Sequence, residues 1–127
     1  MINVVICDDH PMIRKGLRAF LSATDDICIQ GEASSYAEVR EVLRKVACDV
    51  LLLDLNLPGR GGMEVLASLV QAKSTTKVLI VSMYPESQYA LRSLNAGAYG
   101  YLNKTGDAST YLQAVRTVAT GKKYVSP

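Results

Sequence analysis

No apolar run in this 127-residue sequence approaches the roughly 20 residues needed to cross a bilayer, which excludes a membrane-spanning helix. Nor does a basic stretch followed by an apolar one open the chain. Met1 runs straight into Ile2-Asn3-Val4-Val5-Ile6-Cys7, so no secretory leader is expected and a cytoplasmic location is. Cysteine is scarce and odd in number. Cys7, Cys28 and Cys48 show no CxxC spacing, which argues against a disulfide framework or a metal cluster. They lie in or beside apolar runs and are expected to be buried free thiols. With one histidine, no grouping of neutral nitrogen or sulfur ligands suits zinc. A formal charge of +2, spread evenly apart from Lys122-Lys123, is too small for a nucleic-acid-binding surface. There is also no glycine-rich Walker loop to hold a nucleotide. With 49% hydrophobic and 20% charged residues, the chain is one ordinary globular domain.

Five apolar runs alternate with helical periodicity. The runs are Ile2–Cys7, Ile27–Ala33, 50–53, 78–81 and 99–102. Between them, apolar residues recur at the spacing of one buried helix face. The faces are Ile13, Leu17 and Phe20 or Leu21; Val39, Val42, Leu43 and Val46; Met63, Leu66, Ala67 and Val70; the weaker Ala90, Leu91 and Leu94; and Ala108, Tyr111, Leu112 and Val115. Pro11 and Pro85 suit first-turn positions, while Gly97 and Gly121 suit the residue just past a helix end. Strict strand–helix alternation implies parallel strands with right-handed crossovers, hence an α/β, doubly wound, five-stranded sheet with five helices. The first, third and fourth runs are almost continuously apolar, as central strands are. In Ile27–Ala33, Gln30 and Glu32 alternate with Ile27, Ile29 and Gly31, and 99–102 contains Gly100; both suit edge strands. The resulting order is 2-1-3-4-5, the flavodoxin-like arrangement, whose ligand site lies beyond the strand carboxyl ends.

Polar residues follow each run at that rim. Strand 1 ends in Asp8-Asp9, strand 3 in Asp54, strand 4 in Ser82 and strand 5 in Asn103-Lys104. Each has an ordinary alternative. Asp8 or Asp9 could cap the helix starting at Pro11, Asp54 and Lys104 could be solvated charges, Ser82 a turn residue and Tyr101 an edge aromatic. Their co-location favours a site. Three carboxylates a few ångströms apart repel by about 4 kcal/mol per pair at 4 Å and an effective dielectric near 20. An oxygen-only cluster that relieves this with a hard dication suits Mg²⁺ or Mn²⁺. A dication beside a carboxylate, a lysine and a hydroxyl is equipment for phosphoryl transfer. Without a nucleotide loop, the phosphoryl group must arrive on a donor with its own leaving group, and a carboxylate is the obvious acceptor.

Asp8-Asp9, Asp54 followed by Leu57-Pro58-Gly59, Ser82 and Tyr101 with Lys104 together resemble a bacterial two-component response-regulator receiver domain, over the whole chain. Asp9-His10-Pro11, Val81-Ser82-Met83-Tyr84, the stretch 96–102 and the ending 121–127 are similar to the NarL/FixJ (LuxR-type) subfamily. The resemblance implies that Asp54 is phosphorylated by a sensor histidine kinase. It implies that Asp9 binds Mg²⁺ directly, Asp8 through water and Asn56 through its backbone carbonyl. Lys104 would pair with the phosphoryl group, Ser82 would swing to bond it, and Tyr101 would turn inward. It further implies a regulatory phosphoacceptor rather than a turnover enzyme, with transcriptional output through a C-terminal DNA-binding helix-turn-helix domain. On this reading residues 1–121 form the receiver and 122–127 begin a linker to that domain, absent here.

Three departures shape the expectations. Thr105, where many receivers have proline, predicts a trans bond after Lys104, because a cis non-proline bond costs about 3 kcal/mol. Ser82 replaces the commoner threonine and loosens the rotamer. Met83 and Tyr84 are expected to shield an acyl phosphate from water, giving slow self-hydrolysis. Homodimerisation on phosphorylation is expected through the helix after Ser82 and the Tyr101 strand, or through the first and last helices. The alternatives are a stand-alone receiver acting by protein contacts or phosphorelay, a haloacid-dehalogenase-like phosphatase and a flavodoxin-like binding module. For the phosphatase, Asn56 stands where an acid/base Asp is needed; for the flavodoxin-like module, Asp8-Asp9 would repel a flavin phosphate.

Overall fold

A computed structural model describes residues 1–124. The elements alternate throughout: β1 (Ile2–Cys7), α1 (Pro11–Ser22), β2 (Ile27–Ala33), α2 (Tyr36–Lys45), β3 (Val50–Asp54), α3 (Gly62–Gln71), β4 (Lys77–Ser82), α4 (Glu86–Asn95), β5 (Gly100–Asn103) and α5 (Ala108–Ala119). The five strands are parallel in the order β2-β1-β3-β4-β5. This is the doubly wound arrangement that the alternating runs predict. No helix of the described residues is long and apolar enough to cross a membrane.

Strict period-2 alternation divides the core. Val4, Ile6, Val50, Leu52, Leu79 and Val81 face α1 and α5, packing on Leu17, Leu21, Tyr111, Val115 and Val118. Val5, Cys7, Leu51, Leu53, Val78 and Ile80 face the other way, onto Val39, Val65 and Leu66. Both faces are apolar because helices cover both. The first turns are fixed locally. Ser35 Oγ accepts from Glu38 N–H while Glu38 Oε1 accepts from Ser34 N–H, and Asp107 Oδ1 accepts from Thr110 N–H. Gly97 and Gly121, at φ 113° and 90°, terminate α4 and α5 in the left-handed region expected of glycine there.

Four sequence expectations need correction. In β2 the register slips between Val4 and Val5, so that Ile29 and Gly31 pair with consecutive β1 residues and Gln30 is the extra residue. The bulge inverts the alternation. Ile27 and Ile29 face α1 and α5, whereas Gly31 lies against Val42 of α2 and Glu32 turns to Arg14 and Arg18 of α1. In α3 the buried residues are Gly62, Val65 and Leu66, while Ala67 and Val70 point outward. The rotation follows from Gly62, where a Cβ would run into the Asp54 carbonyl oxygen and the Leu55 Cα. In α4, Leu91 is 70% exposed, and Ser93 is buried instead with its hydroxyl donating to Tyr89 O. Pro85 is the N-cap of α4 rather than a first-turn residue.

At the β5 edge, Tyr124 N–H donates to Tyr99 O at 2.8 Å and the Tyr124 side chain is buried in the α1–α5 core. Tyr124 therefore packs on the domain, although the span 122–127 reads as the start of a linker; residues 125–127 lie outside the described residues.

Candidate functional site

All five strands point their carboxyl ends to one rim, and three of the predicted residues meet there at close range. Asp8 follows β1, Asp54 ends β3 and Lys104 follows β5. By the alternation of their strands, all three are in phase with the side chains facing α1 and α5. Lys104 Nζ lies 2.9 Å from Asp8 Oδ2 and 3.2 Å from Asp54 Oδ2. The three side chains are 5%, 2% and 2% exposed, so this charge-assisted set is almost dry. Each carboxylate divides its oxygens. Asp8 Oδ1 accepts from His10 N–H at 2.8 Å, and Asp54 Oδ1 accepts from Asn56 N–H at 3.1 Å. Neither Asp8 nor Asp9 caps α1 with its side chain; the N-cap is His10, which makes no side-chain cap.

Asp9 completes the acidic group. Ligand atoms of Asp8, Asp9, His10 and Asp54 all lie within 4.8 Å of one another. Asp8 Oδ2 and Asp9 Oδ1 are buried with no hydrogen-bond partner; what faces them are the Lys104 ammonium at 2.9 Å and the His10 imidazole at 3.0 Å. Three carboxylates stand against the single Lys104 ammonium, so negative charge is in excess. The donor set therefore suits a dication.

The electrostatics follow from burial. Loss of water raises the Asp54 carboxyl above its ordinary value, and the Asp8 charge adds to this, outweighing the Asn56 N–H and Lys104. Lys104 is drawn down by burial, but Asp8 and Asp54 more than compensate and its net shift is upward. Neighbouring Cys7 is pushed up to about 12, first by burial and then by the Asp8 and Asp54 charges, so it stays an inert thiol.

Ser82 and Tyr101 occupy the other phase of their strands. Ser82 Oγ accepts from Tyr84 N–H at 3.0 Å, and Tyr101 O–H donates to Tyr84 O at 2.9 Å. Tyr101 is thus turned inward and buried, not the solvent-facing edge aromatic of the ordinary alternative. Tyr84 stacks on Tyr89 of α4 with ring centroids 4.8 Å apart, while Met83 is largely exposed. Every peptide bond among the described residues is trans, that between Lys104 and Thr105 included, as expected of a non-proline successor.

Three contributors escape a reading of strand ends. Arg14, one turn into α1, donates to the Asp8 carbonyl at 2.6 Å and also bonds Glu32, fixing the β1–α1 corner. Gly62 lets α3 approach the Asp54 backbone. His10 turns its ring back toward both aspartates. For Gly62, the Gly61-Gly62 pair was the available signal; the Arg14 contact leaves none in the sequence.

Comparison with known proteins agrees with this geometry. The response regulator receiver domain family matches residues 4–116. The response regulator GacA of Pseudomonas viridiflava is 35% identical over 127 residues, covering 100% of this chain and 59% of the relative. The response regulator UvrY of Escherichia coli strain K12 is 32% identical, covering 99% and 58%. The chain thus spans about three-fifths of the length of the curated relatives it matches. Among solved structures, a LuxR-family two-component response regulator from Aurantimonas sp. SI85-9A1 superposes with a TM-score of 0.91 at 31% identity, covering 98% of this chain and 89% of that one. The signal receiver domain of the putative response regulator NarL from Mycobacterium tuberculosis gives 0.89 at 33% identity, covering 95% and 98%. A rim of acidic residues closed by one lysine, on a sheet of order 2-1-3-4-5 matched over its whole length, places this chain in the receiver-domain family of two-component response regulators.

Proposed function

We propose that Asp54 is the phosphoacceptor of this receiver, taking a phosphoryl group from the phosphohistidine of a sensor histidine kinase. The single observation that carries this reading is Lys104 Nζ bridging Asp8 and Asp54 in a nearly water-free pocket. A carboxylate oxygen of Asp54 attacks phosphorus, the phosphorus–nitrogen bond of the donor breaks, and the product is an acyl phosphate. Lys104 is already within ion-pair distance of Asp54 and pairs with the added phosphoryl oxygens. The Asn56 N–H orients the nucleophile through Asp54 Oδ1. Ser82 supplies a further hydrogen bond once its hydroxyl leaves the Tyr84 amide, and Tyr101, bonded to the carbonyl of the same residue, senses that change.

Mg²⁺, or Mn²⁺ in its place, fits the donor set: Asp9, Asp54, the Asn56 backbone carbonyl and, through water, Asp8 would hold it. The excess of negative charge, three carboxylates beside the single Lys104 ammonium, supports this assignment. When bound, it supplies neutralisation of the charge shared by the carboxylates and the incoming phosphoryl oxygens.

Moving a two-state equilibrium from 1:99 to 99:1 takes about 5.5 kcal/mol of differential interaction, within reach of the new charge-assisted bonds. The output we propose is homodimerisation and, in a longer chain, control of a C-terminal helix-turn-helix domain on DNA. Intact-mass analysis after incubation with acetyl phosphate and Mg²⁺ tests the phosphoacceptor. Wild type gains one phosphoryl group and Asp54→Asn gains none; equal labelling of both proteins, or no labelling of either, overturns the reading.

A further inference from the structure

Beside the amino-terminal ends of β4 and β5, opposite the acidic rim, two hollows meet across the last turn of α3. The first, about 210 Å³, opens between α2 and α3, with Arg40, Leu43 and Arg44 on one wall and Val65 and Leu69 on the other. The second, about 270 Å³, takes in Val70, Lys73, Gly97 and Tyr99. They share Leu69, Ser74 and Thr76 and so adjoin as one groove, and no carboxylate lines either. The cations of this groove are available to a partner. Among the described residues Arg40 has no ion pair; its guanidinium donates to the Tyr36 hydroxyl oxygen at 3.1 Å. Arg44 holds Glu41 at 3.3 Å with both side chains more than half exposed, a pair that water screens. Lys73 is exposed and has no ion pair among the described residues. Its backbone adds an independent signal. Lys73 stands just past α3 at φ 55°, where the chain turns with Ser74 N–H donating to Leu69 O at 3.0 Å. It is the one non-glycine among the described residues in the left-handed region, at a place that glycine usually holds. A lysine there keeps strain that glycine would relieve, and such strain clusters where a side chain serves a function.

We propose that this groove docks an acidic segment of a partner protein, whose carboxylates meet Arg40, Arg44 and Lys73 while two large apolar side chains fill the hollows. Size favours a polypeptide over a free small molecule. Small-molecule sites run from about 300 to 1,000 Å³, and each hollow falls below that range but takes a side chain. Chemistry favours a polypeptide over nucleic acid. Phosphates call for cations alone, whereas here the cations alternate with Leu43, Val65, Leu69 and Val70, the last 51% exposed. Charge also disfavours a second copy seated face to face, because a two-fold interface would set one basic groove against another. The groove uses none of the residues assigned above to phosphoryl transfer, so this inference stands apart from that reading.

Selection of a random peptide library on the immobilised protein tests this, with the recovered peptides synthesised and titrated by fluorescence anisotropy. The recovered peptides combine Asp or Glu with large apolar residues, and changing either kind to Gln or Ala weakens them. Arg40→Gln combined with Arg44→Gln lowers their affinity about tenfold. Lys73→Gly lowers it about threefold and yet melts a few degrees above wild type, since the strain is relieved. A lysine kept for structure alone would leave the affinity unchanged. Peptides that lack carboxylates, peptides that bind these variants as tightly as wild type, or no recovery at all overturn the proposal. So does self-association in sedimentation that the double arginine variant abolishes, because it assigns the groove to a second copy.

Discussion

Lys104 Nζ stands 2.9 Å from Asp8 Oδ2, joining the end of β5 to the end of β1 across two intervening strands. Both side chains are at least 95% buried, so neither charge can be left alone. Lys104→Met strands the Asp8 and Asp54 carboxylates in a dry pocket and destabilises the fold by about 3 kcal/mol. Adding Asp8→Asn removes one stranded charge, so the double variant is more stable than Lys104→Met alone. Urea unfolding of the four proteins of the cycle, with a chelator present, measures the coupling; strictly additive losses contradict it.

The pH dependence follows from the two upward shifts. The folded state binds the Asp54 proton more tightly than the unfolded chain, so ionised Asp54 weakens the fold at neutral pH and ceases to do so as pH falls through its folded value. Asp54→Asn is therefore more stable than wild type at pH 7, and the gap closes as pH falls from the raised value to the ordinary carboxylate range. Lys104 runs the other way. Its ion pairs stabilise fully below the ordinary lysine value, and that stability is lost as pH rises through the higher folded one. Thermal melts from pH 3 to 11 in chelator show both limbs; a gap between Asp54→Asn and wild type that widens toward acid refutes the assignment.

Gly62 sets how closely α3 approaches the end of β3, where Asp54 lies. In Gly62→Ala the methyl group meets the Asp54 carbonyl oxygen and the Leu55 backbone, neither of which can yield as a flexible side chain would. The variant loses about 1–3 kcal/mol, as overpacked cores do, and its acetyl-phosphate labelling slows because the strand end carrying Asp54 shifts. Gly16→Ala, at a helical glycine with open space around it, is the control. Equal stability of Gly62→Ala and Gly16→Ala contradicts the packing role.

Much of the architecture was legible because buried parallel strands write continuous apolar runs and the crossover helices write a 3.6-residue period. The rim residues were legible for a related reason, since a parallel sheet gathers every residue that follows a strand, Asp8, Asp54, Ser82 and Lys104 alike. What escaped depends on contacts between backbones. The β2 bulge at Gln30 inverts a clean alternation because strand register is a two-chain property absent from a single stretch of sequence. The α3 face moved because Gly62, not an apolar side chain, makes the tightest contact. Arg14 escaped because its partner at the site is the carbonyl of Asp8 rather than any side chain.

The irregularity in β2 also bears on how the molecule behaves at high concentration. β2 is an outer strand, and an uninterrupted outer strand offers a ladder of free amides and carbonyls to any neighbouring copy. Gln30 breaks that ladder midway, and the same kink commits Glu32 to Arg14 and Arg18. A newcomer could match the pleat on one side of the break but not on both, so self-association by strand addition is discouraged at this margin.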